Sequence, residues 1–127
     1  MGHSAATDTK PTLYERLGGE KKLKKIVNDI LDKNFNNPII SHHFRNTDMN
    51  KLKKLVFEFF SMGTGGPHQY TGRDMITAHT GLHISGKDFL VGNDDVLLAL
   101  EENGIGQEEK EEVIAILDSM KADVIER

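Results

Sequence analysis

Apolar residues recur at intervals of three and four along most of the chain. Between positions 20 and 36 they fall at Leu23, Ile26, Val27, Ile30, Leu31 and Phe35, the spacing of one buried helix face. A second such stretch, about 49–62, places Leu52, Leu55, Val56, Phe59 and Phe60 inward, with Lys51, Lys53, Lys54 and Glu58 outward. A third, from about 85 to 104, carries Phe89, Val96, Leu97 and Leu100. The last, about 107–126, shows Val113, Ile116, Leu117, Met120 and Val124, starting acidic and ending basic as the helix dipole favours. No stretch alternates at period two, and no segment repeats. The pattern predicts an all-α domain of six or seven helices.

Breakers and caps divide these stretches. Thr12 and Glu15 are spaced as a capping box opening a short helix that Gly18 and Gly19 end. Asn36, Asn37 and Pro38 stop the next helix, and about one tight turn is expected over 39–44. Thr47 or Asp48 caps the 49–62 helix. A loop with three glycines and a proline, 63–69, follows it. Thr71 to Asp74 has the spacing of another cap, after which Met75, Ala78, His79 and Leu82 share one helical face. Ser85 and Asp88 are spaced to cap the helix after that.

Composition narrows the chemistry. The 127 residues make one domain with a core that needs no staples, and the absence of cysteine removes disulfides, iron–sulfur clusters and thiol catalysis. Apolar runs are too short to span a membrane. The small polar residues 1–11 read as a flexible N-terminal tail preceding a domain over 12–127, with no apolar signal segment, which points to the cytoplasm. The net charge of −4, with signs interspersed, does not suit a nucleic-acid binder. Lys21, Lys22, Lys24 and Lys25 flank Leu23 as the solvated face of a helix.

Six histidines hold the remaining options. His3 falls in the tail, and His68 in the glycine loop reads as solvated. His42 and His43 are neighbours whose side chains diverge on a helix, which argues against a shared site. His79 and His83, four apart, can share a face as half of a zinc or copper site, but no third ligand is evident. No serine-hydrolase elbow or phosphate-binding loop is present, so no residue is assigned a catalytic role. His79 on an apolar face admits two readings, a half-buried core histidine or a metal ligand. With Phe44, Phe59 and Phe60 available to enclose it, a flat apolar cofactor such as haem fits the second. A haem-free helical interaction module fits the first.

The motifs Thr12-Leu-Tyr-Glu-Arg-Leu-Gly-Gly19, the corner at Phe44, the Gly65-Gly66 loop, and Tyr70-Thr-Gly-Arg-Asp-Met75 followed by Ala78-His79 resemble those of the truncated, two-over-two haemoglobins, above all their first group. The resemblance runs from Thr12 to about Glu126. It implies the truncated globin fold around haem b, with His79 as the protein ligand to iron and Phe44 packed on the haem face. It implies that Phe59 and Phe60 line the pocket, and that Thr47, Tyr70 and Arg73 lie near the propionates, where Lys51 and Lys53 are also candidates. Leu52, Val56, Met75, Leu82 and Phe89 complete the expected haem contacts.

The departures from the family pattern lie on the distal side. Many first-group members carry a tyrosine where this chain has Leu31. They carry glutamines where it has Leu52 and Val56, and some have a second histidine ligand where it has Leu55. Unless His42 or His43 turns in, no distal residue donates a hydrogen bond. The expectation is a five-coordinate iron binding dioxygen, nitric oxide and carbon monoxide, with weakly held oxygen, for oxygen transport or storage. The alternatives the family allows are nitric oxide dioxygenation, which needs a reductase, and gas sensing. A monomer or weak dimer is expected.

Overall fold

The computed structural model describes residues 11–127. The tail expected over 1–11 therefore lies, apart from Pro11, outside the described residues. Helix α1 is Leu13–Arg16, and its first turn holds the reciprocal Thr12–Glu15 cap. Gly18 follows at φ 107°, a left-handed turn that sends the chain into α2, Gly19–Asn36. A 3₁₀ turn spans Ser41–Phe44. Helix α3 is Met49–Gly63, capped by Asp48, and α4 is the short Met75–His79. Helix α5 is Gly86–Glu102, with Ser85 accepting from the Asp88 N–H at 3.0 Å. Helices α6, Gln107–Ser119, and α7, Lys121–Val124, complete the chain.

Helix α2 is the spine. Its apolar face, Leu23, Ile26, Val27, Ile30 and Leu31, is buried against α3 on one side and α5 on the other, and α6 packs on α5. Two pairs of long helices, α2 with α3 and α5 with α6, thus enclose one core. A buried polar contact sets the crossing of α2 and α5: the Asn34 side-chain amide donates to Asp95 at 2.8 Å, and Asn37 donates to the same carboxylate at 3.2 Å. Both Asn34 and Asp95 are buried, so each needs the other. Arg16 joins α1 to α6 through Glu109 and Glu112. Lys21, Lys22, Lys24 and Lys25 are exposed, as their spacing requires.

Several sequence expectations change. Phe35, in the last turn of α2, is 47% exposed because the chain turns away before another element can cover it. Phe57, outside the predicted stripe, is buried in the core cluster, with Lys24 of α2 over its ring at 5.3 Å and His68 of the loop after α3 edge-on to it at 4.7 Å. His68 is accordingly anchored rather than solvated, bonded to the buried Ser61 hydroxyl at 2.8 Å and to Glu20 at 3.1 Å. A β-carbon at Gly66 would collide with Ser61 and Tyr14, which is why that loop position needs glycine. The last helix is broken at Met120, whose N–H turns back to the Leu117 carbonyl at 3.0 Å. The break lets α7 pack on α4 and lets the chain end meet the segment after His79. There Glu126 N–H donates to Ile84 O at 2.8 Å and Gly81 N–H to Arg127 O at 3.0 Å.

Candidate functional site

Helix α4 is only five residues long and depends on its surroundings. Asp74, not Thr71, caps it, accepting from the Thr77 N–H at 3.2 Å. Thr71 instead donates to Glu58 of α3 through its N–H at 3.0 Å and its hydroxyl at 2.6 Å. The Tyr70 hydroxyl closes the corner on the Arg73 carbonyl at 2.6 Å, and its ring stands edge-on to Phe59 at 5.7 Å. The helix ends at His79, so His83 is not on its face; His83 sits at φ 53° in the turn beyond. The half-site expected from a four-residue spacing is therefore not formed on α4.

Those two donated bonds and Lys54 hold the Glu58 carboxyl at a pKa of about 2, well below its ordinary 4.5. The unfolded chain takes up this proton first as pH falls. The stabilisation is complete above the ordinary carboxylate range and is lost as pH falls through the folded value. Urea unfolding compared at pH 6 and pH 3 should show a smaller loss of stability for Glu58→Gln than for the wild type. The substituted amide is uncharged at both pH values, yet its oxygen can still accept from Thr71, so an equal loss would remove Glu58 from this role.

His79 is half-buried and lines a cavity at the centre of the helix pairs. Its Nδ1 lies 2.8 Å from the Met75 carbonyl oxygen. A carbonyl only accepts, so Nδ1 carries the proton there. In the neutral ring the lone pair is then on Nε2, which has no hydrogen-bond partner among the described residues. This is the second contact that fixes a metal-binding imidazole in one tautomer and orientation.

The rest of the cavity is mainly apolar. Leu31 and Ile30 come from α2, Phe44 from the 3₁₀ turn, Val56 and Phe60 from α3, Phe89 and Val96 from α5, and Leu117, Met120 and Val124 from the chain end. Leu31, Val56, Phe44, Phe60, Phe89 and His79 are thus brought together. Leu52 and Leu55 are not: they line a neighbouring cleft with Thr47, Lys51 and Arg73, one helical turn along α3. Phe59 and Tyr70 pack on each other, outside the cavity lining. Met75 takes part through its carbonyl, and the exposed Leu82 lines a shallow cleft with Thr47 and His42. Lys53 is drawn away to α2, donating to Asn28 at 2.7 Å and Asp32 at 2.8 Å.

Four polar groups stand in the cavity wall: His43, which the sequence left open as a residue that could turn in, and Asn34, Asp88 and Asn93, which sequence reasoning did not place there. His43 reaches the wall although it precedes Phe44 on another segment. Its Nε2 is held 3.0 Å from the Asp88 carboxylate, which keeps that carboxyl below its ordinary range. Asn34 sits three residues after Leu31 on the same helix face, a position that periodicity marks as inward. Its polarity, in a buried place, was the available signal.

The cavity fits haem on observations of this chain: an apolar slot between helix pairs, and an oriented imidazole whose lone pair has no protein partner. The adjoining cleft, with Lys51 and Arg73 beside Thr47, offers cations and a hydroxyl to acidic substituents, while Thr71 and Lys54 in the same cleft are engaged by Glu58.

Comparison with known proteins gives a consistent picture. Residues 12–126 match the family model described as bacterial-like globin. The chain is 30% identical over 114 residues to a group 1 truncated haemoglobin of Tetrahymena pyriformis, covering 90% of this chain and 94% of that protein. The crystal structure of truncated haemoglobin from the same organism, in the Fe(III) form, superposes with a TM-score of 0.89 at 29% identity, over 92% of this chain and all of that one. The two-over-two haemoglobin of a Synechococcus species, solved in the cyanomet state with covalently attached haem, gives 0.85 at 29% identity, with coverage of 92% and 100%.

Proposed function

Because this chain belongs to the truncated haemoglobins, within the bacterial-like globin family, we propose that His79 Nε2 is its ligand to haem iron and that it reversibly binds dioxygen, nitric oxide and carbon monoxide. The family membership itself implies a haem iron cofactor and binding of diatomic gases. Haem supplies the iron centre at which such gases bind. The observation that carries the assignment to His79 is its fixed tautomer: Met75 O holds the Nδ1 proton, which leaves the Nε2 lone pair of this cavity-lining ring without a partner among the described residues.

The chain's residues divide the remaining tasks. Phe44, Phe60, Phe89 and Val96 exclude water from the cavity. Arg73 and Lys51, with Thr47, are the proposed partners of the propionates. Leu31 and Val56 supply no hydrogen-bond donor. Of the polar wall groups, His43 has its Nε2 engaged by Asp88 and Asn34 donates to Asp95. A gas molecule is therefore held without strong polar retention. This favours fast exchange, as in oxygen transport or storage, at an iron with one protein ligand. The second reading is nitric oxide dioxygenation with an external reductase, which converts nitric oxide and dioxygen to nitrate. Its support is the open, donor-poor cavity, which admits nitric oxide as readily as dioxygen.

Absorption spectra of the haem-loaded protein test the proposal. A Soret band at one haem per chain, with a five-coordinate ferrous spectrum, is the expected result. A chain that takes up no haem, or a ferrous spectrum with two protein ligands, overturns it. Mixing the oxygenated protein with nitric oxide in a stopped flow separates the two readings by the rate of nitrate formation.

A further inference from the structure

Among the described residues, one cluster outside the proposed iron ligand has the donors and spacing of a second metal site. His42, His43 and Asp88 each present a ligand atom, and these atoms all lie within 4.8 Å of one another. Neighbouring histidines diverge at their β-carbons, which led the sequence to argue against a shared site. The structure corrects this. In the 3₁₀ turn both rings lean toward Asp88 in the first turn of α5, and their centroids are 4.0 Å apart. The reach of the imidazole beyond Cβ offsets the divergence.

The three groups differ in setting. His43 and Asp88 are largely covered, with side-chain exposures of 9% and 17%, and they touch at 3.0 Å. The Asp88 carboxyl is held below its ordinary range, first by the His43 hydrogen bond, so it is an anion at neutral pH. His42 is exposed and opens the cluster to solvent. Tetrahedral zinc with bonds of about 2.0–2.1 Å sets its ligand atoms about 3.3–3.4 Å apart. A few tenths of an ångström of opening between His43 and Asp88, with His42, at most 4.8 Å away, closing by up to about 1.5 Å from its exposed position, meets that requirement.

We propose that His42, His43 and Asp88 bind one zinc ion at the edge of the His79 cavity, with solvent in the fourth position. Two imidazoles and one carboxylate with an open position are a donor set that zinc accepts. The ion replaces the His43–Asp88 hydrogen bond with two bonds to itself, so the 3₁₀ turn stays tied to α5. The inference does not depend on His79 being the iron ligand.

The test is calorimetric titration of zinc chloride into the full-length, haem-loaded protein. The expected result is one saturable site per chain. His42→Ala and Asp88→Asn should each weaken it by at least about tenfold, the lower end of what losing even an outer partner of a metal site costs. His83→Ala should leave it unchanged, since His83 lies beyond α4 and is not part of the cluster. His42 is solvent-exposed, so its replacement does not threaten folding, and far-UV circular dichroism verifies the fold of each variant. No saturable binding, or binding indifferent to both His42→Ala and Asp88→Asn, overturns the proposal and leaves the His43–Asp88 pair as a tether of the turn alone.

Discussion

A His79→Gly variant is expected to bind haem at least about tenfold more weakly than the wild-type chain, and added imidazole should restore the wild-type spectrum. The magnitude follows from the same comparison of metal-site costs: removing an outer partner already costs about 10–100-fold, and a direct ligand more. Imidazole rescue is specific to this assignment. The substitution leaves a space of imidazole shape beside the Met75 carbonyl, which can accept the free ring's N–H where it accepted that of His79. A merely structural histidine gives no such rescue of coordination. The fold should survive, since His79 is only half-buried and closes a five-residue helix held by its Asp74 cap and by α7. Far-UV circular dichroism checks this. Equal haem affinity and an unchanged ferrous spectrum without imidazole would sink the assignment.

The sequence made some of this legible and hid the rest for physical reasons. Helices α2, α3 and α5 announce themselves because burial against two partners repeats every turn, and their caps because a side-chain oxygen must meet the first free N–H groups. His79 was visible as a histidine on an apolar face, and its family motif as a run of residues. Its tautomer was not, because a backbone carbonyl selects it and any residue at position 75 supplies one. Phe57 was missed because it lies outside the apolar stripe of α3, where Lys24 from α2 and the His68 loop together cover it. The His43–Asp88 contact joins residues 45 apart, so no local period marks it. The break at Met120 likewise serves a distant need, the docking of residues 121–127 beside α4.

The distal side shows the same limit more sharply. The resemblance assigned Leu31, Leu52, Leu55 and Val56 to one donor-free pocket. In the structure Leu31 and Val56 line the His79 cavity, Leu55 lines the adjoining cleft, and Leu52 borders that cleft while packing on the same core as Leu31 and Val56. Residues 52 and 56 differ by one helical turn, and the boundary between cavity and cleft runs between them. Polarity in the cavity comes from Asn34 and His43, whose side-chain nitrogens are engaged by carboxylates, from Asp88, which is one of those carboxylates, and from Asn93. The donor-poor character thus rests on Leu31 and Val56 and on the engaged Asn34 and His43, with the Asn93 amide as the remaining donor in the wall.

Placing a donor there should change the kinetics of oxygen release more than any other single substitution in the cavity. Leu31→Tyr puts a phenol on the wall of the His79 cavity, from a position that is 4% exposed and on the rigid α2. Dioxygen at a ferrous centre carries partial negative charge on its outer atom. A hydroxyl donating to it contributes on the order of 1–3 kcal/mol, the range of hydrogen bonds to charged groups. At about 1.4 kcal/mol per factor of ten, oxygen release should slow by roughly tenfold to a hundredfold. Carbon monoxide accumulates less charge, so its release should change much less. That contrast separates hydrogen bonding from simple crowding by the larger ring, which would hinder both gases alike. Stopped-flow displacement of oxygen by carbon monoxide measures the first rate, and displacement of carbon monoxide by nitric oxide the second. A parallel change in the two rates would mean that the introduced phenol acts by bulk. An unchanged oxygen rate would mean that the wild-type cavity already supplies a donor, for which His43, released from Asp88, is the residue to examine next through His43→Phe.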